Sequence, residues 1–489
     1  MIAVISILIA CYMLATAISL MSSNRNVISC VSISVSLVGA VCTVLTAFKL
    51  MDSPEHIIED GVIYLDSISL IFISLVSFVS VMALLYSHGY MQHELEEGAI
   101  TDKDYRIYYV YVNLFVLIMY LTFMVQSLAL IWVGVGATTL VSTFLVGFYR
   151  NDHSTEAAWK YMMLCSVGIT IALIGITLVY ASSVGVIDDA NTAMDWTVLM
   201  HNAASLNPAL LKMAMVLIII GFGTKVGFSP MHTWLPDAHS QAPTPISGML
   251  SAVLLNCALY AIIRFYMVSE ITIPGFAKNI LIIFGLLSLF TAACFIVIAR
   301  DIKRMLAYSS IENMGLIAIG LGIGTELAIF GAIFQLIAHS VTKPLLFYSA
   351  GNIIQAYDTR VMSSITGLKY TMPFTAFMLT AGSLIIVGVP PFAIFVGEFN
   401  IVLGAVSAGQ PIIAIAVLAL LAVVFAGFTM HIFPMISGKA DPGIKEHDGI
   451  IRKIPFVIMI LTTLVLGLFM PESLGDLLTD AARMIGGIL

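Results

Sequence analysis

A lysine near the end of a long apolar run is the first residue whose position suggests chemistry. Lys225 follows the run 213–223, and the chain then breaks at Gly227 and Pro230 before a polar stretch that contains His232. A lysine in hydrocarbon costs roughly 2.5–3.5 kcal/mol, so it is usually buried among polar partners or water. Broken helices at membrane depth need protein or a wet cavity to satisfy the backbone. The pattern predicts a proton or ion path through Lys225 that His232 continues. The alternative is a static pair between Lys225 and a carboxylate.

A second polar group lies further along the chain. Gln335, His339 and Lys343 follow an i, i+4, i+8 spacing, so on a helix they share one face. Pro344 comes next and is expected to loosen the backbone there. Because a histidine accepts and donates protons near pH 7, the three residues predict a proton relay. The alternative for His339 is an ordinary packed histidine held by hydrogen bonds.

Two carboxylates complete the set of candidate residues. Glu398 follows a second chain break at 388–391, and it predicts a proton-exit group or, alternatively, an acid at the membrane interface. Glu312 lies in the segment DIKRMLAYSSIENMG with Asp301 and Lys303. These charges are expected mainly to form a network at a helix start, and proton entry through Glu312 is the alternative.

The composition defines the elements that must position these residues. Of 489 residues, 60% are hydrophobic and 10% charged, whereas a soluble domain has about 25% charged residues. Counting apolar runs of about 20 residues each predicts an all-α polytopic membrane protein with about fourteen transmembrane helices. The helices at 208–229 and 373–397 are the two that contain breaks.

The breaks also predict an internal repeat. Residues 107–267 and 276–432 each hold five helices, the fourth of which is interrupted, and the two interrupted helices cross in opposite directions. Paired breaks of this kind predict two inverted repeats with an ion site at each break. Residues 1–106 are expected to form peripheral, packing helices, and residues 433–489 a loop, a last helix and a short tail.

The charged loops predict the orientation. Most of the 21 lysines and arginines fall in alternate loops, whereas acidic clusters occupy the opposite loops at 52–60 and 188–195. The basic loops are therefore expected in the cytoplasm and both termini outside, in the cell membrane. The first run lacks a basic start and a cleavage pattern, so it is expected to be a helix rather than a signal peptide. Arg264 lies near a helix end and is expected to snorkel to the interface.

Four motifs in one order resemble a known family. They are KVGFSPMHTWLPDAHSQAPTPIS, DIKRMLAYSSIENMG, HSVTKPLLFYSAGN and GVPPFAIFVGEF. Over roughly residues 60–450 the chain resembles the antiporter-like, proton-translocating membrane subunits of complex I, membrane-bound hydrogenases and multi-subunit cation/proton antiporters. The sequences of the SSIENMG and WLPDAHSQAP segments are most similar to those of the large membrane subunit of the hydrogenase-4 type. The resemblance implies proton-carrying roles for Lys225, His339, Lys343 and Glu398, and other membrane subunits as partners.

Two positions depart from the family pattern. Gly136 stands where the family normally carries a glutamate that pairs with the lysine equivalent to Lys225. Asn256 stands where several members carry a bridging lysine or histidine, although the hydrogenase branch often has asparagine. The first half-channel is therefore expected to run differently or not to pump, unless water or an acid of another subunit compensates.

The sequence and the resemblance together predict an energy-coupling membrane subunit of a hydrogenase- or complex I-like assembly, which moves H⁺ or exchanges Na⁺ for H⁺ while other subunits carry out the redox chemistry. The alternatives are a standalone or multi-subunit cation/proton antiporter and a structural subunit with a decayed channel. The six cysteines form no C-x-x-C pair, and no dinucleotide or haem motif is present, so no cofactor or metal is expected. The chain is thus expected to be a non-catalytic subunit of an oxidoreductase complex. It has no basic face for nucleic acid.

Overall fold

The computed structural model describes residues 2–52, 57–59, 61–441, 443–446 and 449–487. Thirteen helices in these ranges are long and apolar enough to cross a membrane. The remaining predicted crossing, at 373–397, consists of two shorter apolar helices. The prediction of an all-α polytopic membrane protein is therefore confirmed. Residues 53–56 and 60 of the predicted acidic cluster at 52–60 lie outside the described residues.

The described part of the chain forms the following helices. They are α1 (Ile2–Met21), α2 (Arg25–Asp52), α3 (Ser67–Glu96), α4 (Asp102–Met124), α5 (Leu128–Val146), α6 (Asp152–Ser183), α7 (Trp196–His201), α8 (Pro208–Val226), α9 (Trp234–Gln241), α10 (Thr244–Met249), α11 (Leu255–Thr272), α12 (Phe276–Val297), α13 (Ile302–Ile323), α14 (Glu326–Tyr357), α15 (Leu368–Thr371), α16 (Pro373–Ile386), α17 (Ala393–Ser407), α18 (Pro411–Ile436), α19 (Ile450–Leu468) and α20 (Glu472–Gly486). Strands β1 (Ile57–Glu59) and β2 (Ile63–Leu65) form a small antiparallel hairpin before α3.

Both predicted breaks are present. The first membrane-spanning part of the 208–229 segment ends at Val226, and Gly227 follows with a φ of +90° before α9 begins at Trp234. The second ends at Ile386, and Gly388 has a φ of +72° before α17 begins at Ala393. A positive φ favours glycine, which explains why each helix stops there. By contrast, α14 continues through Pro344.

The chain forms two compact units, each with most of its contacts inside itself. Unit 1 comprises Met1–Val226, Val253–Ile280 and Arg483–Leu489. In it α6 and α8 approach each other through glycines: a Cβ added at Gly168 would lie 2.8 Å from the Gly221 carbonyl oxygen, and one at Gly175 would lie 2.9 Å from the Ala214 carbonyl oxygen. Small residues allow such close helix packing in membranes, and here they fix the position of α8.

Unit 2 comprises Gly227–Ala252 and Leu281–Ala482. In it Gly285 of α12 and Gly315 of α13 face each other, since a Cβ on either would lie within 2.8 Å of the other's carbonyl oxygen. Gly331 of α14 and Gly404 of α17 make equally close contacts between those two helices. Gly320 of α13 in turn packs against α14, since a Cβ added to it would lie 2.9 Å from the Ala328 carbonyl oxygen. Helices α13, α14 and α17, which carry Glu312, Lys343 and Glu398, are thus packed together.

Arg264 corrects one prediction. Its side chain does not snorkel but is only 1% exposed, and its guanidinium forms two 2.7 Å hydrogen bonds to the Asp66 carboxylate. The guanidinium also lies 4.7 Å from the Trp196 ring centroid and 4.9 Å from that of Tyr260. Asp66 in turn caps α3 by accepting a hydrogen bond from the Ser69 N–H. The group therefore ties α11 to the start of α3 inside unit 1.

Candidate functional site

Lys225 lies at the end of α8 and is fully buried. Its ammonium donates hydrogen bonds to three oxygens of α5: the Val135 carbonyl at 2.5 Å, the Thr138 hydroxyl at 2.7 Å and the Thr139 hydroxyl at 2.5 Å. Among the residues that the structure describes, no carboxylate forms an ion pair with Lys225. The lysine is thus held by neutral oxygens.

The two departures from the family pattern also lie in unit 1. Gly136 directly follows Val135 on α5, and a Cβ added to it would meet no heavy atom within 4 Å. A longer side chain would therefore find room at its first carbon. Asn256 is 1% exposed and lies at the start of α11, directly after a π-helical segment at Leu250–Leu254 that the sequence did not predict.

Lys343 lies in the middle of α14 and is also fully buried. Its ammonium donates to the Leu306 carbonyl at 2.6 Å and to the Ser309 hydroxyl, both on α13. The Glu312 carboxylate, one turn further along α13, interacts electrostatically with Lys343. Neither Glu312 oxygen has a hydrogen-bond partner in the described part of the chain, although the residue is fully buried.

The expected charge network at the start of α13 is only partly present. Asp301 caps the helix by accepting from the Arg304 N–H at 2.9 Å, and Arg304 forms an ion pair with Asp237. Lys303, however, is 2% exposed and donates to the Ala242 carbonyl at 2.8 Å. Glu312 lies in the middle of α13, away from this network.

Gln335 and His339 line the same face of α14 as Lys343. The Gln335 amide donates to the Asn313 side-chain oxygen at 2.7 Å. His339 is fully buried and interacts electrostatically with Lys343, and neither of its ring nitrogens has a hydrogen-bond partner within the described ranges. The predicted i, i+4, i+8 stripe is therefore polar and buried throughout.

His239 is a buried residue that the sequence analysis did not select. Its Nδ1 lies 2.7 Å from the Leu235 carbonyl oxygen and donates to it, which leaves Nε2 to accept a proton. The ring stacks on Phe347 and interacts electrostatically with Lys303 and Lys343. Its signal was its place in the polar stretch after the first break. His232, the residue chosen there, is 8% exposed and lies against Tyr308.

Glu398 lies on α17, is 7% exposed, and packs against the second break. A Cβ added at Gly388 would come within 2.0 Å of a Glu398 carboxylate oxygen, so the glycine makes room for the acid. Glu398 and Glu312 interact electrostatically. The break therefore does more than end a helix, because its glycine gives the carboxylate its place.

Unit 2 thus brings together a row of buried titratable side chains. Each interacts electrostatically with at least one other member of the row. The members are Lys303, His239, His339, Lys343, Glu312 and Glu398. Each member of the row can bind and release a proton. The row contains no nucleophile paired with a general base.

Comparison with known proteins identifies related chains. The family model "NADH:quinone oxidoreductase/Mrp antiporter, TM" matches residues 125–425, and "NADH-Ubiquinone oxidoreductase (complex I), chain 5 N-terminus" matches residues 60–98. The chain is 39% identical over 350 residues to the hydrogenase-4 component F homolog of Methylacidiphilum infernorum, covering 71% of this chain and 73% of that protein. It is 28% identical over 360 residues to hydrogenase-4 component B of Escherichia coli, covering 71% of this chain and 51% of that protein.

Two solved structures share the fold. A chain of the membrane-bound sulfane sulfur reductase, an archaeal respiratory membrane complex, superposes with a TM-score of 0.85 at 23% identity, over 99% of this chain and 96% of that one. A chain of the Mrp complex from a Dietzia species superposes with a TM-score of 0.84 at 19% identity, over 100% and 97%. The family match covers more than half of the sequence, and the chain belongs to the NADH:quinone oxidoreductase/Mrp antiporter family of membrane proteins.

Proposed function

We propose that this chain is the proton-translocating membrane subunit of a respiratory assembly of the hydrogenase or complex I type. The observation that carries the proposal is the buried row of titratable side chains in unit 2, centred on His339, Lys343 and Glu312. Ionisable residues inside membrane-spanning segments are costly and mark proton or ion pathways. A row of them, each near the next, is difficult to explain by packing alone.

Unpartnered polar atoms support a path for protons. Both nitrogens of His339, both oxygens of Glu312 and Nε2 of His239 are buried and have no hydrogen-bond partner in the described residues. Buried polar groups of this kind are commonly satisfied by ordered water. Water bound at these atoms would connect neighbouring members of the row, and protons would pass along it. The order of transfer that we propose runs from Lys303 and His239 through His339, Lys343 and Glu312 to Glu398.

The two breaks support an inverted repeat. Both have the pattern Gly-x-x-Pro, at 227–230 and 388–391, and in both the glycine has a positive φ. We propose that residues 107–267 and 276–432 are repeats of opposite orientation. In this arrangement Lys225 and Glu398 serve as the ionisable groups at the two breaks. The remaining segments, 1–106 and 433–489, would flank the repeats.

Relatives suggest the assembly. The names of the matched proteins refer to components of hydrogenase-4 and to subunits of NADH-quinone oxidoreductase. We propose that this chain likewise lies beside other membrane subunits, including related ones, while separate subunits carry out the redox chemistry. The basic loops would face the cytoplasm across the cell membrane, with both termini outside.

The test is proton flux in membrane vesicles that carry the whole complex. We expect Lys343→Ala to abolish most of the flux. Lys225→Ala tests the first half, and Lys212→Ala is its matched control because Lys212 is an exposed lysine at the start of the same helix. Loss in both variants would indicate one continuous path, and loss only in Lys343→Ala would limit transport to unit 2. Full flux in both would overturn the proposal in favour of a structural subunit.

A further inference from the structure

A groove on the outside of unit 1 has the chemistry of a lipid site. It lies between α4, α5 and α6, close to the loop that joins α5 to α6, and has a volume of about 320 Å³. This volume falls in the range of roughly 300–1,000 Å³ that is typical of ligand pockets. Its walls are mostly apolar, and we call it the α4–α6 groove.

One side of the groove is an exposed aromatic wall. The rings of Tyr111 and Phe144 stack with centroids 5.2 Å apart and planes 8° apart. Phe144 is 52% exposed and Trp159, on α6, is 57% exposed. Aromatic side chains, tryptophan and tyrosine above all, are enriched where a membrane protein meets the interface between hydrocarbon and water. The wall is therefore placed to contact lipid.

The polar end of the groove carries a single charge. Arg150 is the one ionised residue among those that line it, and no lining residue is acidic. Its φ of +54° is uncommon for a residue other than glycine, and its side chain is 65% exposed. The guanidinium pairs with Asp104 at 3.2 Å. A guanidinium has five N–H donors, so others remain for a ligand. Thr155, at the same end, adds a hydroxyl.

We propose that the α4–α6 groove binds one phospholipid, with its phosphate on Arg150 and Thr155 and an acyl chain against Phe144 and Trp159. Arginine matches the geometry of phosphate oxygens. A soluble anion would contact the polar end of the groove and leave the apolar wall uncovered, whereas a phospholipid has a phosphate for the polar end and an acyl chain for the wall. Because the groove lies at the ends of membrane-spanning helices, the bilayer itself supplies this ligand.

The groove also adjoins the Lys225 contacts. Thr143 lines the groove, and its hydroxyl donates to the Thr139 carbonyl at 2.8 Å. The Thr139 hydroxyl is one of the three oxygens that hold Lys225. A lipid in the groove would thus contact α5 one helical turn away from the residue that binds the lysine.

The test is the lipid content of the purified complex. The complex is placed in nanodiscs of phosphatidylglycerol, transferred to detergent, and the retained phosphatidylglycerol is counted by native mass spectrometry. We expect Arg150→Asn to weaken retention by about tenfold or more, since it removes charge-assisted hydrogen bonds. Asparagine tolerates a positive φ, which keeps the loop intact. Trp159→Ala is expected to weaken retention less.

Lys160→Gln is the matched control, because Lys160 is an exposed cation beside Trp159 that does not line the groove. We expect it to retain lipid as the wild type does. A thermal unfolding midpoint equal to that of the wild type shows that Arg150→Asn is folded. Equal retention in the wild type, Arg150→Asn and Trp159→Ala would overturn the proposal. Displacement of the lipid by an equimolar concentration of inorganic phosphate would also overturn it, because the acyl chain would then add nothing to binding.

Discussion

Lys225 and Lys343 are each held by the same kind of hydrogen-bonding site, which we call the cradle of that lysine. The two cradles differ in whether a carboxylate lies nearby. In each cradle the ammonium binds a main-chain carbonyl and the hydroxyl three residues later on the facing helix. That hydroxyl donates to the same carbonyl, at 2.8 Å in one cradle and 3.0 Å in the other, so its oxygen accepts from the lysine. The oxygens belong to Val135 and Thr138 for Lys225, and to Leu306 and Ser309 for Lys343.

The two sites differ in the residue that comes one turn later on the facing helix. Three residues after Ser309 comes Glu312, whereas three residues after Thr138 comes Val141. Unit 2 therefore places a buried carboxylate near its lysine, whereas in the described part of unit 1 the hydrogen-bond partners of Lys225 are two hydroxyls and a carbonyl. Opposite charges favour each other's ionised forms. In the function proposed above, a proton that reaches or leaves Glu312 would therefore change the electrostatic environment of Lys343. We infer that the shared hydrogen bonds position each lysine, and that under the proposed function the nearby carboxylate would couple Lys343, but not Lys225, to the arrival of a proton.

We expect a large loss of proton flux when the Glu312 carboxylate is removed. Glu312→Gln keeps the size of the side chain but removes its charge, and we expect proton flux of the complex to fall about 10²-fold, the usual scale for losing a proton-transfer group. Flux in sealed vesicles is the measurement. Glu156→Gln is the control, because Glu156 is exposed and forms an ion pair with Lys160 on the surface. Unchanged flux in Glu312→Gln would mean that the carboxylate near Lys343 does not contribute to proton transport.

A second variant tests the buried carboxylate that unit 1 does contain. Asp66 is fully buried but is held by Arg264, so it is unavailable as a carrier. Breaking a buried ion pair leaves one charge uncompensated, and we expect Asp66→Asn to destabilise the protein by roughly 3–5 kcal/mol. Thermal unfolding of the purified chain measures this. Arg25→Ala breaks an exposed pair with Asp102 and should cost at most about 1 kcal/mol.

The same pair predicts a dependence on pH. Burial would raise the pKa of the Asp66 carboxyl, but the charge and hydrogen bonds of Arg264 outweigh it and hold the pKa below its usual value. The unfolded chain therefore takes up the proton first as pH falls below about 3.9. The stability advantage of wild type over Asp66→Asn is present above that pH and should shrink below it. A difference that stays constant through this range would contradict a charged pair.

The sequence predicted the lysines and the breaks because their causes are local. A lysine within an apolar run of a membrane protein almost always faces the interior, and a glycine followed closely by a proline favours the end of a helix. The error at Arg264 had a distant cause, since Asp66 lies 198 residues away in the chain. His239 was missed because the sequence does not show which residue of a short polar stretch faces the interior. The charge pattern does not show where α13 begins, so it could not show that Glu312 lies in the middle of that helix. The structure defines both.

The smallest effect, and the most direct test of the contrast, is to give unit 1 a carboxylate. A Cβ at Gly136 has room, so Gly136→Glu is expected to fold. If unit 1 is limited by its missing charge, we expect Gly136→Glu to raise proton flux by at most a few-fold, since an opposite charge within about 4–6 Å favours the charged lysine. The gain should vanish when Lys225→Ala is added. Gly136→Gln has nearly the same shape without charge and should leave flux unchanged. A gain in both Gly136 variants would instead point to packing of α5, because shape alone would then explain it.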